Sequence, residues 1–175
     1  MILIVAIAIC SIAAVTDIRT KRIPNWLTYS AILLGVGFHT LTSGMRGFLF
    51  SVEGLLLGLA FLMFFYLAGG TGAGDVKLMG AVGALLGPNG AFTAFVFTAL
   101  IGGLYALTLL LLRFHVRGTF IRLHTMFNSL LWNTGLSGLL EDKTQKTPVL
   151  NYGVAIALGV FVSVFWTFAT DGRWK

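Results

Sequence analysis

The sequence predicts an all-α, multi-pass membrane protein of about six transmembrane helices with its N-terminus outside. Three observations predict it. Hydrophobic residues make up 57% of the chain and charged residues 10%, where a soluble domain carries roughly 25% charged residues. Long apolar runs recur from one end of the chain to the other, the signature of spanning helices. The basic residues gather in the intervals between those runs, as expected where charge sets orientation in a bilayer.

The first run, Met1–Thr16, has no positive residue ahead of it and is followed by Arg19, Lys21 and Arg22. A secretory signal carries its charge first, so this order predicts a retained helix whose C-terminal end is cytoplasmic. Its Cys10 is the chain's single cysteine and reads as a buried, inert thiol. The second run, Trp26–Leu41, is set off by Pro24 and by Asn25 as a ready N-cap, with Trp26 and Tyr29 near the headgroups. The third is Gly47–Ala68. The fourth, Val76–Gly87, is short of the roughly 20 residues that span a bilayer.

Charge decides how to read that short run. If it spans, the cytoplasmic side holds Arg19, Lys21, Arg22, Lys77, Arg113, Arg117, Arg122, Lys143 and Lys146, and the outside holds Arg46, Arg173 and Lys175. If it is re-entrant, the basic residues divide equally, so the positive-inside bias favours spanning. Gly80, Gly83 and Gly87 line it, and small residues let helices approach closely. That composition places it in the middle of the bundle. Pro88-Asn89-Gly90 reads as a tight outside turn, leading into the fifth run, Ala91–Leu112.

The longest interval, Arg113–Pro148, is cytoplasmic in this topology. Its stretch Phe120–Leu140 mixes apolar and polar residues and predicts an interfacial helix within residues 113–148, with an additional buried hairpin as the alternative. Val149–Ala169 is the sixth run. No internal repeat or low-complexity tract appears, so residues 1–175 read as a single membrane-embedded domain. The net charge of +6 is accounted for by orientation in a lipid bilayer, and no nucleic-acid partner is expected.

Chemistry must come from few side chains. The acidic residues are Asp17, Glu53, Asp75, Glu141, Asp142 and Asp171. Glu141, Asp142 and Asp171 fall in polar, solvated segments. Glu53 lies early in the third run, where it pairs with Arg46 or lines a polar spot. Asp17 and Asp75 stand apart, each where an apolar run meets a cytoplasmic interval on the same face of the membrane. Acids at membrane depth are costly and usually mark function. The bland alternative is that both cap helices, Asp75 being well placed as the N-cap of the fourth run.

The residues before Asp75 favour function. Gly69, Gly70, Gly72 and Gly74 make a loop whose backbone can take conformations closed to other residues and let another chain come close. A helix N-terminus also favours the ionised form of Asp75. The run lacks the GK[ST] ending of a phosphate-binding loop, and GTGAGD breaks the GxGxxG dinucleotide pattern. Lys77 reads either as a group that steers substrate and tunes the acid or as a membrane anchor. His39, His115 and His124 are far apart and cannot supply the convergent ligands of a metal site. No GxSxG elbow exists for serine chemistry. Neither metal nor cofactor is expected.

Asp17 followed by RTKRIPN, then GAGDVKLMGAVGALLG, and late in the chain PVLNYGVAIALG, resemble the type IV prepilin peptidases of the GxGD intramembrane aspartyl proteases. The likeness is greatest to their short, Tad-type members. The resemblance implies that Asp17 and Asp75 are the catalytic aspartates and that Gly72 and Gly74 are the motif glycines. It implies a prepilin or pseudopilin substrate helix, whose short basic leader is cut at the cytoplasmic face of the bacterial inner membrane. Larger bifunctional members carry an N-terminal domain with paired cysteines that this sequence does not show, so the resemblance leaves N-methylation open. Presenilin-type enzymes share GxGD but have a larger, nine-helix layout.

For such a pair the expected chemistry is shared protonation. One carboxylate takes a proton from the attacking water, and the other donates to the developing oxyanion. The competing class is a non-catalytic scaffold or small transporter whose aspartates cap helices or bind a cation.

Overall fold

A computed structural model describes residues 2–67, 70–112 and 152–171. They form α1 (Ile2–Thr20), α2 (Asn25–Leu67), α3 (Ala73–Leu112) and α4 (Tyr152–Asp171), with no strand among the described residues. Each helix is long and apolar enough to cross a membrane. The chain divides into two compact units, Met1–Gly103 with Asn151–Lys175, and Leu104–Leu150. The interfacial helix expected within 113–148 lies outside the described residues.

Where the sequence predicts six helices, the described residues form four. The second and third apolar runs fall together in α2, and the fourth and fifth in α3. The turn signals that separate the runs are compressed to one residue each. Gly44 (φ 59°, ψ −138°) interrupts α2, and Gly87 (φ 73°, ψ −176°) interrupts α3 just before Pro88. Positive φ is open to glycine at little steric cost. A straight helix of the length of α2 would measure about 65 Å, twice the hydrocarbon core of roughly 30 Å.

The break at Gly87 leaves backbone carbonyls without their usual donors. Pro88 has no N–H, so the carbonyl of Ala84, four residues earlier, loses its helical partner. The hydroxyl of Ser51 donates to that carbonyl at 2.7 Å, in a fully buried contact. Nε2 of His39 meets the next carbonyl, Leu85, at 3.0 Å. A carbonyl can only accept, so Nε2 carries the proton. His39 is thereby a structural donor within the fold.

The stretch of α3 before Gly87 is the centre of the packing, as its glycine content predicts. Leu78, Met79, Ala81, Val82, Ala84 and Leu85 are all buried. Contact with α2 is backbone to backbone at Gly54 and Gly83, where a methyl on either glycine would overlap the carbonyl of the other. Close approach of this kind is how helices associate without a hydrophobic drive between them.

In α1 the buried residues Ala6, Ile9, Cys10, Ala13 and Asp17 form one stripe, at the three-to-four-residue spacing of a helix face. Ile4, Ile12, Val15 and Ile18 are exposed on the rest of its surface. Helix α1 packs against α4, whose buried residues include Ala155, Ile156, Val160 and Ser163. Asp17 is the C-terminal member of its stripe and is turned into the protein by the same periodicity that buries Ala13.

Ser51→Ala should therefore destabilise the fold by about 1–3 kcal/mol, because the Ala84 carbonyl is left buried without a donor. Thr42→Ala, which removes an exposed hydroxyl bonded within its own helix, should cost under about 0.5 kcal/mol. Reversible unfolding in mixed detergent micelles measures both.

Candidate active site

Helix α1 ends just beyond Asp17. Lys21 adopts a left-handed conformation (φ 51°), and its N–H donates to the carbonyl of Asp17 at 2.8 Å. This single bond from the residue after a helix closes its last turn. The Asp17 side chain is only 7% exposed. Its Oδ2 accepts the N–H of Gly153 at 3.0 Å. Gly153 is the second residue of α4, so its N–H is among the first four that lack an acceptor inside the helix.

Asp75 is not the N-cap that the alternative reading of the sequence would make it. Helix α3 starts earlier, because the carbonyl of Gly72 already accepts from the N–H groups of Asp75 (3.1 Å) and Val76 (3.4 Å). Gly72 is the cap residue, and Asp75 stands three positions into the helix. From there its Oδ2 reaches back to accept the Gly72 N–H at 3.0 Å, the half of a capping box that the third helical residue supplies. Asp75 is 9% exposed. Gly72 and Ala73 are exposed beside it.

The two acids lie close enough for the charge of Asp17 to act on Asp75. Asp75 in turn acts on Tyr152, the half-buried first residue of α4. Both carboxylates sit at a helix N-terminus, Asp75 at that of α3 and Asp17 at that of α4. Helix polarity therefore does not single out Asp75 as the anion.

The two halves of the motif pattern meet in space. A methyl at Gly74 would stand 3.2 Å from Cβ of Ile23, so this glycine lets the segment between α1 and α2 lie against the start of α3. Lys77 Nζ donates to Asn25 Oδ1 at 3.0 Å and lies 5.4 Å from the Tyr29 ring centroid. Asn25, read from the sequence as a cap, is the first residue of α2 and uses its side chain to receive Lys77. Among the described residues no ion pair forms, so Lys77 does not neutralise either aspartate. Glu53 is exposed on α2, without an ion pair to Arg46.

Sequence reasoning missed Tyr152 and Gly153. The fragment NYG at the head of the last apolar run is visible in PVLNYGVAIALG, but no spacing rule ties it to an aspartate 136 positions away. Only the packing of α4 on α1 makes that connection.

The sequence profile of the type IV leader peptidase family matches residues 4–107, more than half of the chain and inclusive of both aspartates. The chain belongs to the type IV leader peptidase family. A curated relative, the prepilin leader peptidase/N-methyltransferase of Bacillus subtilis (strain 168), is 35% identical over 104 residues. That alignment covers 58% of this chain and 42% of the relative, so the chain spans under half the length of that protein. No solved structure matches. The family match spans the segment that holds both buried acids, and the described helices are of spanning length.

Gly74→Val tests the contact between the two segments of this leader peptidase family member. The added side chain would crowd Ile23, whose Cβ lies 3.2 Å from the position of the new Cβ, and overpacking of this kind costs about 1–3 kcal/mol. Unfolding in detergent should show the loss, with Gly37→Val as the comparison, since Gly37 has open space around it.

Proposed function

We propose that the protein is an intramembrane aspartyl endopeptidase that removes the leader of type IV prepilin or pseudopilin-like substrates. The observation that carries the reading is a pair of buried carboxylates, Asp17 and Asp75, near enough for the charge of Asp17 to act on Asp75, with no cationic partner among the described residues. Isolated buried charges are expensive, and two acids placed together share a proton readily. Family membership and the relative's printed name support the substrate class. The proposal takes over leader cleavage from that name and not methyl transfer.

In this mechanism the ionised carboxylate accepts a proton from water as the water attacks the scissile carbonyl. The protonated carboxylate donates to the oxyanion as it develops. The exposure of Gly72 and Ala73 leaves room for a substrate segment to lie beside the acids. Gly72 caps α3, Gly74 in its first turn lets Ile23 lie against it, and Lys77 braces α3 against α2 instead of taking part in proton transfer.

The same reading places the chain in the bacterial inner membrane with its N-terminus outside and the acids at the cytoplasmic face. Chain reversals at Gly44 and Gly87 would turn the four helices into six crossings. A reversal at Gly44 is supported by Gly35 and Ser51, one on either side of it, both meeting the backbone of Ala84. A reversal at Gly87 is supported by Phe61, whose ring stacks on Phe95 at 4.6 Å and meets Phe92 at 5.9 Å. Were α3 straight, those rings would lie near opposite ends of the packed pair formed at Gly54 and Gly83.

The test is cleavage of a single-span substrate carrying a short basic leader, read as a gel shift after co-expression. Asp17→Asn and Asp75→Asn should each slow cleavage by roughly 100-fold to 10,000-fold, with membrane insertion unchanged. Near wild-type cleavage by either variant would refute the dyad. A change in ion or solute flux, with no cleavage by the wild-type protein, would mark a transporter instead.

A further inference from the structure

Each carboxylate is held by the amide of a glycine whose missing side chain leaves space for it. At Asp75 the glycine is Gly72, where a methyl would stand 3.3 Å from Oδ2. That contact is local, set by the start of α3. At Asp17 the glycine is Gly153, buried at the head of α4. A methyl there would stand 2.8 Å from Oδ2 and 3.0 Å from both Cβ and Cγ of Asp17. The tip of a carboxylate can swing aside, but Cβ moves only with the backbone of α1. The Asp17 side chain therefore occupies the space that any side chain at 153 would need.

We propose that Gly153 is a positioning residue for Asp17, the counterpart across the site of Gly72 for Asp75. The proposal rests on the peptidase reading and deepens it. The Gly153 N–H fixes the rotamer of Asp17 through the 3.0 Å bond, and the bare Cα lets the first turn of α4 seat directly on the carboxylate. Tyr152, one residue earlier, lies within the field of Asp75. The opening turn of α4 is thus addressed to both acids. Asp75 keeps its geometry from its own helix, whereas the aim of Asp17 depends on the docking of α4 against α1.

The experiment uses the full chain in detergent with a single-span substrate bearing a basic leader, and reads kcat per folded molecule, KM and the pH profile of kcat. Gly153→Ala should lower kcat by roughly 100-fold, the scale of an ångström-sized misplacement, with KM little changed and the pH profile displaced. Gly159→Ala is the packing control: its methyl would strike Thr98 of α3, away from either acid, so it should lose stability and keep both kcat and the profile. A Gly153→Ala protein with near wild-type kcat overturns the positioning role while leaving the peptidase reading intact. Equal losses of kcat in both variants, or no folded fraction for Gly153→Ala, reduce Gly153 to a packing residue and overturn it too. Absence of cleavage by the wild-type protein refutes the peptidase reading and this role with it.

Discussion

Inside a bilayer no water is at hand to satisfy a carbonyl, an amide or a carboxylate, so each must find its partner within the protein. Burial imposes the same economy on the hinges and on the two acids. At the Gly87–Pro88 break the chain gives up helical bonds, and Ser51 and His39 supply donors to the stranded carbonyls of Ala84 and Leu85. At the acids the traffic runs the other way. Helix α3 and helix α4 each begin with surplus N–H groups, and Asp75 and Asp17 each accept one of them. Helix starts and buried carboxylates thus answer each other's deficits.

Glycine makes those answers geometrically possible. A bilayer gives helices little reason to associate beyond close contact, and the meeting of Gly54 with Gly83 brings α2 and α3 to backbone distance. With α3 so placed, its N-terminal turn stands beside the end of α1, and Gly74 lets Ile23 lie against it. The bond between Lys77 and Asn25 then fixes the join on its outer side. Asp17 and Asp75 come together because two helix ends are packed, with no direct bond between the acids required.

Much of this was legible in the sequence. The apolar runs predict an all-helical membrane protein, and the glycine-lined run around Gly80 and Gly83 predicts the packing centre. Asp17 and Asp75 stand out because acids are so rare in the chain. The count of helices was not legible, because Ser43-Gly44 and Pro88-Asn89-Gly90 look like ordinary loop signals, whereas the structure turns on one glycine in each. The register at Asp75 was also hidden: an acid before an apolar run suggests a cap, but the capping carbonyl belongs to Gly72. Gly153 and the donor role of His39 depend on contacts between distant segments, for which local spacing carries no signal.

The central claim is that Asp17 and Asp75 form one unit in the membrane. The most direct measurement is solid-state NMR dipolar recoupling on the full chain in lipid, with aspartate labelled at the carboxyl carbon and each site assigned through its asparagine variant. The account predicts a resolved coupling between the two carboxyl carbons, with a separation within roughly 6 Å, the range over which like charges strongly perturb each other. A separation beyond about 10 Å in the resting protein, outside that range, would contradict it.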